Sequence, residues 1–395
     1  MRVPTALPIR RQPDRRAGHI ADTTWTKNSC YVGEKIDRRP TLSVGAMSSL
    51  RYAVYRAGLE ALYFSGAHRA LRPLFSGVGA ILTLHHVCPR RSGSFQPNRI
   101  LEIEARFLER MIVHFRARGL DLVSIDEVRR RLVEGDFRRQ FVAITIDDGY
   151  RDILQYAWPV LSRHEAPFAL YVATSFPDQL GELWWVALER VVAKSDRLVL
   201  EIDGHTRFFD CSDAARKRGA FGDIYWWLRS IKDEEAFRRV VRDICDRYGV
   251  DLNAPCAESC MGWSEIARIA EDPLCTIGAH TVSHCFLSKV SEKSARAEMS
   301  RSAQVIEAAL GKKPQHFAYP YGDAGRREFE IAAELGFKTA VTTCADVLTP
   351  AHREYLTALP RISVNGDFQA LRYVEVLLSG VPFALRRPMG IAEAA

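Results

Sequence analysis

Short apolar runs recur along the chain, each ending in polar residues, and amphipathic stretches separate them. Residues 80–84, 141–146, 168–172, 275–278, 316–318, 339–341 and 358–362 are apolar segments bounded by turn residues. Their lengths and borders suit buried strands. Between them, helical periodicity covers 102–118, the stretch after Ser124, 150–162, 295–310 and 326–335. Phe107, Leu108, Met111, Ile112 and Phe115 fall on one helical face. Gly119, Gly311 and Gly336 stand where a helix ends in a left-handed cap. Asp126 and Glu127 favour the first turn of the helix after Ser124. Strand and helix alternate, which is the pattern of parallel βα units. The fold expected is α/β, a distorted (β/α) barrel of about seven strands.

The rhythm breaks twice. Residues 174–263 read as a mostly helical insertion, with strand-like alternation only around 198–202; Phe237, Val240, Val241, Ile244 and Tyr248 make one apolar stripe there. The insertion carries Trp184, Trp185, Trp226 and Trp227, which suit either sugar stacking or a core. Ahead of the barrel, 47–75 reads as a basic amphipathic helix within an N-terminal region 47–79, with Pro73 expected to end it or to begin a new turn. Such a helix packs on the domain or a partner, or lies on a membrane surface. A helical tail is expected over 366–395.

Charge sharpens the division. The chain of 395 residues has a formal net charge of +7. Residues 1–46 hold nine Lys/Arg against four Asp/Glu and show no hydrophobic periodicity, so they read as a disordered arm or a mis-assigned start before Met47. The main body is then nearly neutral and offers no electrostatic case for nucleic acid. Neither a secretory apolar core nor a membrane-spanning run is present. The cysteines are mostly isolated and suit reduced thiols, and the location expected is cytoplasmic, with the inner membrane face as a variant.

The chemistry gathers at strand ends. Phe141–Ile146 runs into Asp147-Asp148-Gly149, a pair of carboxylates that reads either as a turn with a helix N-cap or as a site. Residues 80–84 run into His85-His86, a position equally suited to catalysis or to a structural hydrogen bond. His280 and His284, four apart, follow residues 275–278 and are expected on one face of a helical turn. Tyr319-Pro320-Tyr321-Gly322 is a tight turn after 316–318, and Arg361 lies in the last apolar run. In a βα barrel, strand C-termini share one face, so these residues would meet. One carboxylate and two imidazoles form a zinc-type ligand set with positions left open.

Thr145-Ile146-Asp147-Asp148-Gly149, His280-Thr281-Val282-Ser283-His284 and Ala318-Tyr319-Pro320-Tyr321-Gly322 resemble the first three motifs of the NodB-like polysaccharide deacetylases, carbohydrate esterase family 4. The resemblance covers about 80–365. It implies one divalent metal, usually zinc, held by Asp148, His280 and His284. It implies Asp147 as the base, the Tyr321 backbone N–H as an oxyanion donor, and Pro320 and Gly322 as members with Tyr321 of the oxyanion and substrate-binding turn. The chain departs from the family twice. Ala318 fills the slot where many members have the arginine that pairs with the base, a role Arg361 is then expected to take. No histidine follows Arg361 to supply the usual acid. The resemblance is therefore closest to a permuted branch, with His85 as the acid ahead of the Asp-Asp motif and His86 the runner-up. The function implied is N-deacetylation of an amino sugar in a polysaccharide, a chitooligosaccharide-type oligosaccharide or a glycolipid. A non-sugar amide or imide hydrolase and an inactive glycan-binding module are the alternatives.

Overall fold

A computed structural model describes residues 44–384. The arm expected over 1–46 lies almost wholly outside the described residues, as does the end of the tail, 385–395. Seven parallel strands succeed one another in the order Thr339–Val341, His316–Ala318, Cys275–Ala279, Phe168–Val172, Phe141–Ile146, Gly79–Leu84 and Ile362–Ser363. The circuit closes through the last segment. Leu359 bridges to Val341 in parallel, and Ile362 pairs with Leu82. The result is the expected distorted barrel. Every residue of Gly79–Leu84, Phe141–Ile146 and Phe168–Val172 is buried, as strands covered on both sides require. Of the 358–362 run only Ile362 is in the strand Ile362–Ser363, so Arg361 stands just before it.

The insertion differs from the expectation in one respect. It includes an antiparallel hairpin, Arg197–Ile202 with His205–Asp210, closed by Asp203-Gly204 with both residues at positive φ. His205–Asp210 is almost entirely solvent-exposed and lacks the apolar alternation that marks a half-buried strand. The rest is helical: Trp184–Lys194, Ala214–Ser230 and Glu234–Arg247.

The N-terminal segment is two helices, Val44–Phe64 and Ala67–Phe75, broken at Gly66 with φ of 75°. Pro73 lies inside the second helix instead of ending it. It is close enough to the C-terminus to forfeit a backbone bond only in a last turn that ends at Phe75. The first helix packs on the tail. Glu60 pairs with Arg372 at 2.9 Å, Arg56 donates to the Tyr373 hydroxyl, and Tyr52 and Tyr55 meet Phe368. Among the described residues no helix is long and apolar enough to cross a membrane.

Candidate active site

The site begins with a backbone irregularity. Successive residues of a strand point to opposite faces. Beyond Ile146 the chain leaves the strand, and Asp148 and Gly149 adopt φ of 74° and 76°. Aspartate tolerates this left-handed region better than most side chains. Both carboxylates therefore enter one pocket, Asp147 and Asp148 each 2% exposed.

Asp147 is fully partnered. Arg361 donates from Nη1 to Oδ1 and from Nη2 to Oδ2, both at 2.7 Å, the two-pronged geometry in which guanidinium matches carboxylate. Arg361 is 1% exposed and is itself held by Thr342 carbonyl and Thr145 Oγ1. It reaches the carboxylate from within the barrel. Burial opposes the charge on Asp147, but Arg361 and then His280 outweigh it and hold the carboxyl below its usual range.

Asp148 is the reverse. Its Oδ1 is buried without a hydrogen-bond partner. His280 Nε2 lies 3.5 Å from it and His284 Nε2 3.2 Å. The donor atoms of these three residues all lie within 4.8 Å of one another. His280 Nδ1 sits 2.7 Å from the Ala318 carbonyl, which can only accept, so Nδ1 donates there and the ring is held with Nε2 turned toward Asp148. Burial lowers the pKa of His284, which favours the neutral imidazole that a cation requires. A carboxylate oxygen without a donor, facing two imidazole nitrogens, fits a divalent cation by its chemistry.

The histidines are not on a helical turn. Thr281 and His284 have φ of 65° and 54°, and the segment is an irregular loop. Its geometry is imposed from outside. Glu298 accepts from Val282 N and Ser283 N, both at 2.9 Å, and from Ser283 Oγ. Arg238, in the insertion, donates to the Ser283 carbonyl at 2.8 Å and pairs with Glu182 and Glu234. Neither residue stood out in the sequence: each is one charge among many on an amphipathic helix.

His85 follows Leu84 and is partly exposed. Burial lowers its pKa, while the charges of Asp148 and Asp147 oppose that shift. It therefore stands within electrostatic reach of both. His86 is committed elsewhere: its Nδ1 is 2.7 Å from Asp152 and its ring stacks on Tyr150 at 3.6 Å. Tyr321 has φ of 59°, and its ring stands 4.5 Å from His284. Pro320 starts the turn. Gly322 is obligatory, because a Cβ there would meet Thr343 Oγ1 at 1.8 Å. Phe286 stacks on Tyr321 at 3.9 Å, and Trp184 Nε1 donates to its hydroxyl. Trp184 and Trp185 are thus core residues of the site wall, 3% and 5% exposed, whereas Trp226 is 45% exposed. The Tyr150 hydroxyl and Trp185 Nε1 are buried without partners.

Residues 229–340 match the family model described as polysaccharide deacetylase. That segment, a little over a quarter of the chain, is therefore similar to polysaccharide deacetylases. The match takes in His280, His284 and the Tyr319–Gly322 turn, while Asp147, Asp148, His85 and Arg361 fall outside it. The fold is similar to that of the Streptococcus pyogenes deacetylase PplD in complex with acetate, at a TM-score of 0.51 and 17% identity, over 75% of this chain and 97% of that one. IcaB from Ammonifex degensii aligns at a TM-score of 0.47 and 18% identity, over 76% of this chain and 97% of that one. Chitin deacetylase 2 of Cryptococcus neoformans is 35% identical over 81 residues, 20% of this chain. The chain spans 18% of that relative's length.

Proposed function

We propose that the protein is a metal-dependent hydrolase that removes the N-acetyl group from an amino sugar in a glycan or glycolipid. The observation that carries this is the convergence of Asp148, His280 and His284 beside an Asp147 held by Arg361. A divalent cation on the three ligands, zinc by the donor set, would lower the pKa of water and polarise the amide carbonyl.

The chain's own residues do the rest. Asp147, kept ionised by Arg361, accepts the proton of the attacking water. The new C–O bond turns the acetamide carbon tetrahedral, and the Tyr321 N–H donates to the oxygen that gains charge. His85 gives a proton to the amide nitrogen as the C–N bond breaks, releasing acetate and a free amino sugar. Arg361 takes the place that Ala318 leaves vacant in the third motif. With its acid ahead of the aspartates, the chain fits the permuted branch of the family. His85 is preferred to His86 because Asp152 already occupies the His86 ring.

The test is acetate release from N-acetylglucosamine oligomers, other N-acetylated glycans and cyclic imides, with and without chelator. Acetate should appear with glycans and vanish on chelation. Imide opening without acetate release, or glycan binding without either, would replace this reading.

A further inference from the structure

The site has a rim that the proposed reaction does not use. Arg229, in the insertion helix Ala214–Ser230, places its guanidinium over four rings: Tyr225 at 5.7 Å, Trp226 at 5.3 Å, Phe286 at 5.4 Å and Tyr321 at 5.5 Å. Tyr321 links it to the catalytic pocket, since the same ring stands 4.5 Å from His284. Lys289 lies beside it. Its Nζ is 3.9 Å from the centre of the Phe286 ring and donates to the Arg229 carbonyl at 2.8 Å.

The two cations have no ion pair among the described residues. Arg229 gives one hydrogen bond, to the Tyr225 hydroxyl at 3.2 Å. A guanidinium has five N–H donors, and stacking on ring faces leaves its edge free. The carboxylates that face Lys289 are Glu234 and Asp323. Glu234 is occupied by Arg238 and Phe286 N, and Asp323 accepts from Ser288 N and Oγ. Next to them the Trp226 ring is 45% exposed, an apolar face open to solvent beside the two cations.

We propose that this rim is a subsite for an anionic sugar, in which Arg229 and Lys289 bind a carboxylate or phosphate on the unit next to the N-acetylated one while Trp226 carries its ring. The inference rests on the deacetylase reading and names its substrate class: an acidic glycan, with the charge about one sugar away from the acetamide. A neutral chitin-like chain would leave both cations without a counter-charge when it covered them, a cost that an acidic chain turns into attraction.

The experiment separates the two readings by measuring binding and turnover in parallel. Three disaccharide probes are used, each with one N-acetylglucosamine unit: one joined to a neutral hexose, one to a hexuronic acid, one to a phosphorylated hexose. Binding is followed by calorimetry and by tryptophan fluorescence on the full chain. The wild type should prefer an acidic probe by roughly tenfold or more, a preference that weakens as salt rises. Whether the uronate or the phosphate is preferred names the source of the charge. In Arg229→Gln the ratio of acidic to neutral affinity should collapse toward one. Arg229→Lys should recover part of it, which a merely structural role for Arg229 would not require. Equal affinity for all three probes in the wild type, or an undiminished ratio in Arg229→Gln, would overturn the subsite whatever turnover shows. Selective binding without acetate release would keep the subsite and remove the reaction.

Discussion

Asp147 receives two guanidinium hydrogen bonds at 2.7 Å, while Asp148, the next residue, keeps a buried oxygen that no protein group satisfies. The two side chains have the same chemistry, the same burial and one pocket. Beyond the backbone, they differ in what faces them. Asp147 meets a fixed positive charge and is complete within the protein. Asp148 meets the Nε2 atoms of two imidazoles, one of them oriented by the Ala318 carbonyl, a set that could hold a cation. In the function proposed, this divides a pair of aspartates in sequence into a group that handles protons and a group that holds metal, and the division is made by residues more than a hundred positions away.

Breaking the Asp147 half should have the largest effect. Arg361→Met leaves a buried carboxylate unpaired, so a loss of about 3–5 kcal/mol in stability is expected from denaturant unfolding. Turnover should fall by about a hundredfold to ten-thousandfold, as when a positioned base is lost. Cation affinity, measured by calorimetry, should change far less than turnover. A variant that loses its metal as completely as its activity would merge the two halves.

The Asp148 half is sharpened through the loop that carries its partners. Glu298→Gln weakens the clamp on Val282 and Ser283 without touching a ligand. Cation affinity should drop by about 10- to 100-fold, the range found for groups that orient metal ligands. Unchanged affinity would mean that the loop holds its shape alone.

A smaller difference should appear in acid. The folded pKa of Asp147 lies below its ordinary 3.8 because the charge of Arg361 outweighs burial. The stability this gives is present above 3.8 and is lost as pH falls through the lower folded value. Acid unfolding should therefore be less steep below about pH 4 in Arg361→Met than in the wild type. Equal slopes would show that the pair contributes nothing to the titration.

The carboxylate pair was legible because an apolar run that stops at two aspartates is a local pattern. So were most strands of the barrel, and the histidine spacing. The loop shape at 280–284 was not, since Glu298 and Arg238 enforce it from distant helices and a four-residue spacing alone suggests a helical turn. The strand His205–Asp210 was hidden because its side chains face water, although Asp203-Gly204 was the available signal. Pro73 misled because its cost depends on where the helix ends. Arg361 could be nominated from its apolar neighbours, but its two-pronged grip on Asp147 is visible only when the barrel closes.

The division between the carboxylates is tested most directly by zinc titration of the purified chain carrying Asp147→Asn or Asp148→Asn, followed by calorimetry at neutral pH. Asp147→Asn should bind one ion with near wild-type affinity and release no acetate, and Asp148→Asn should bind none at comparable concentration. Loss of the ion in Asp147→Asn, or its retention in Asp148→Asn, would contradict the division.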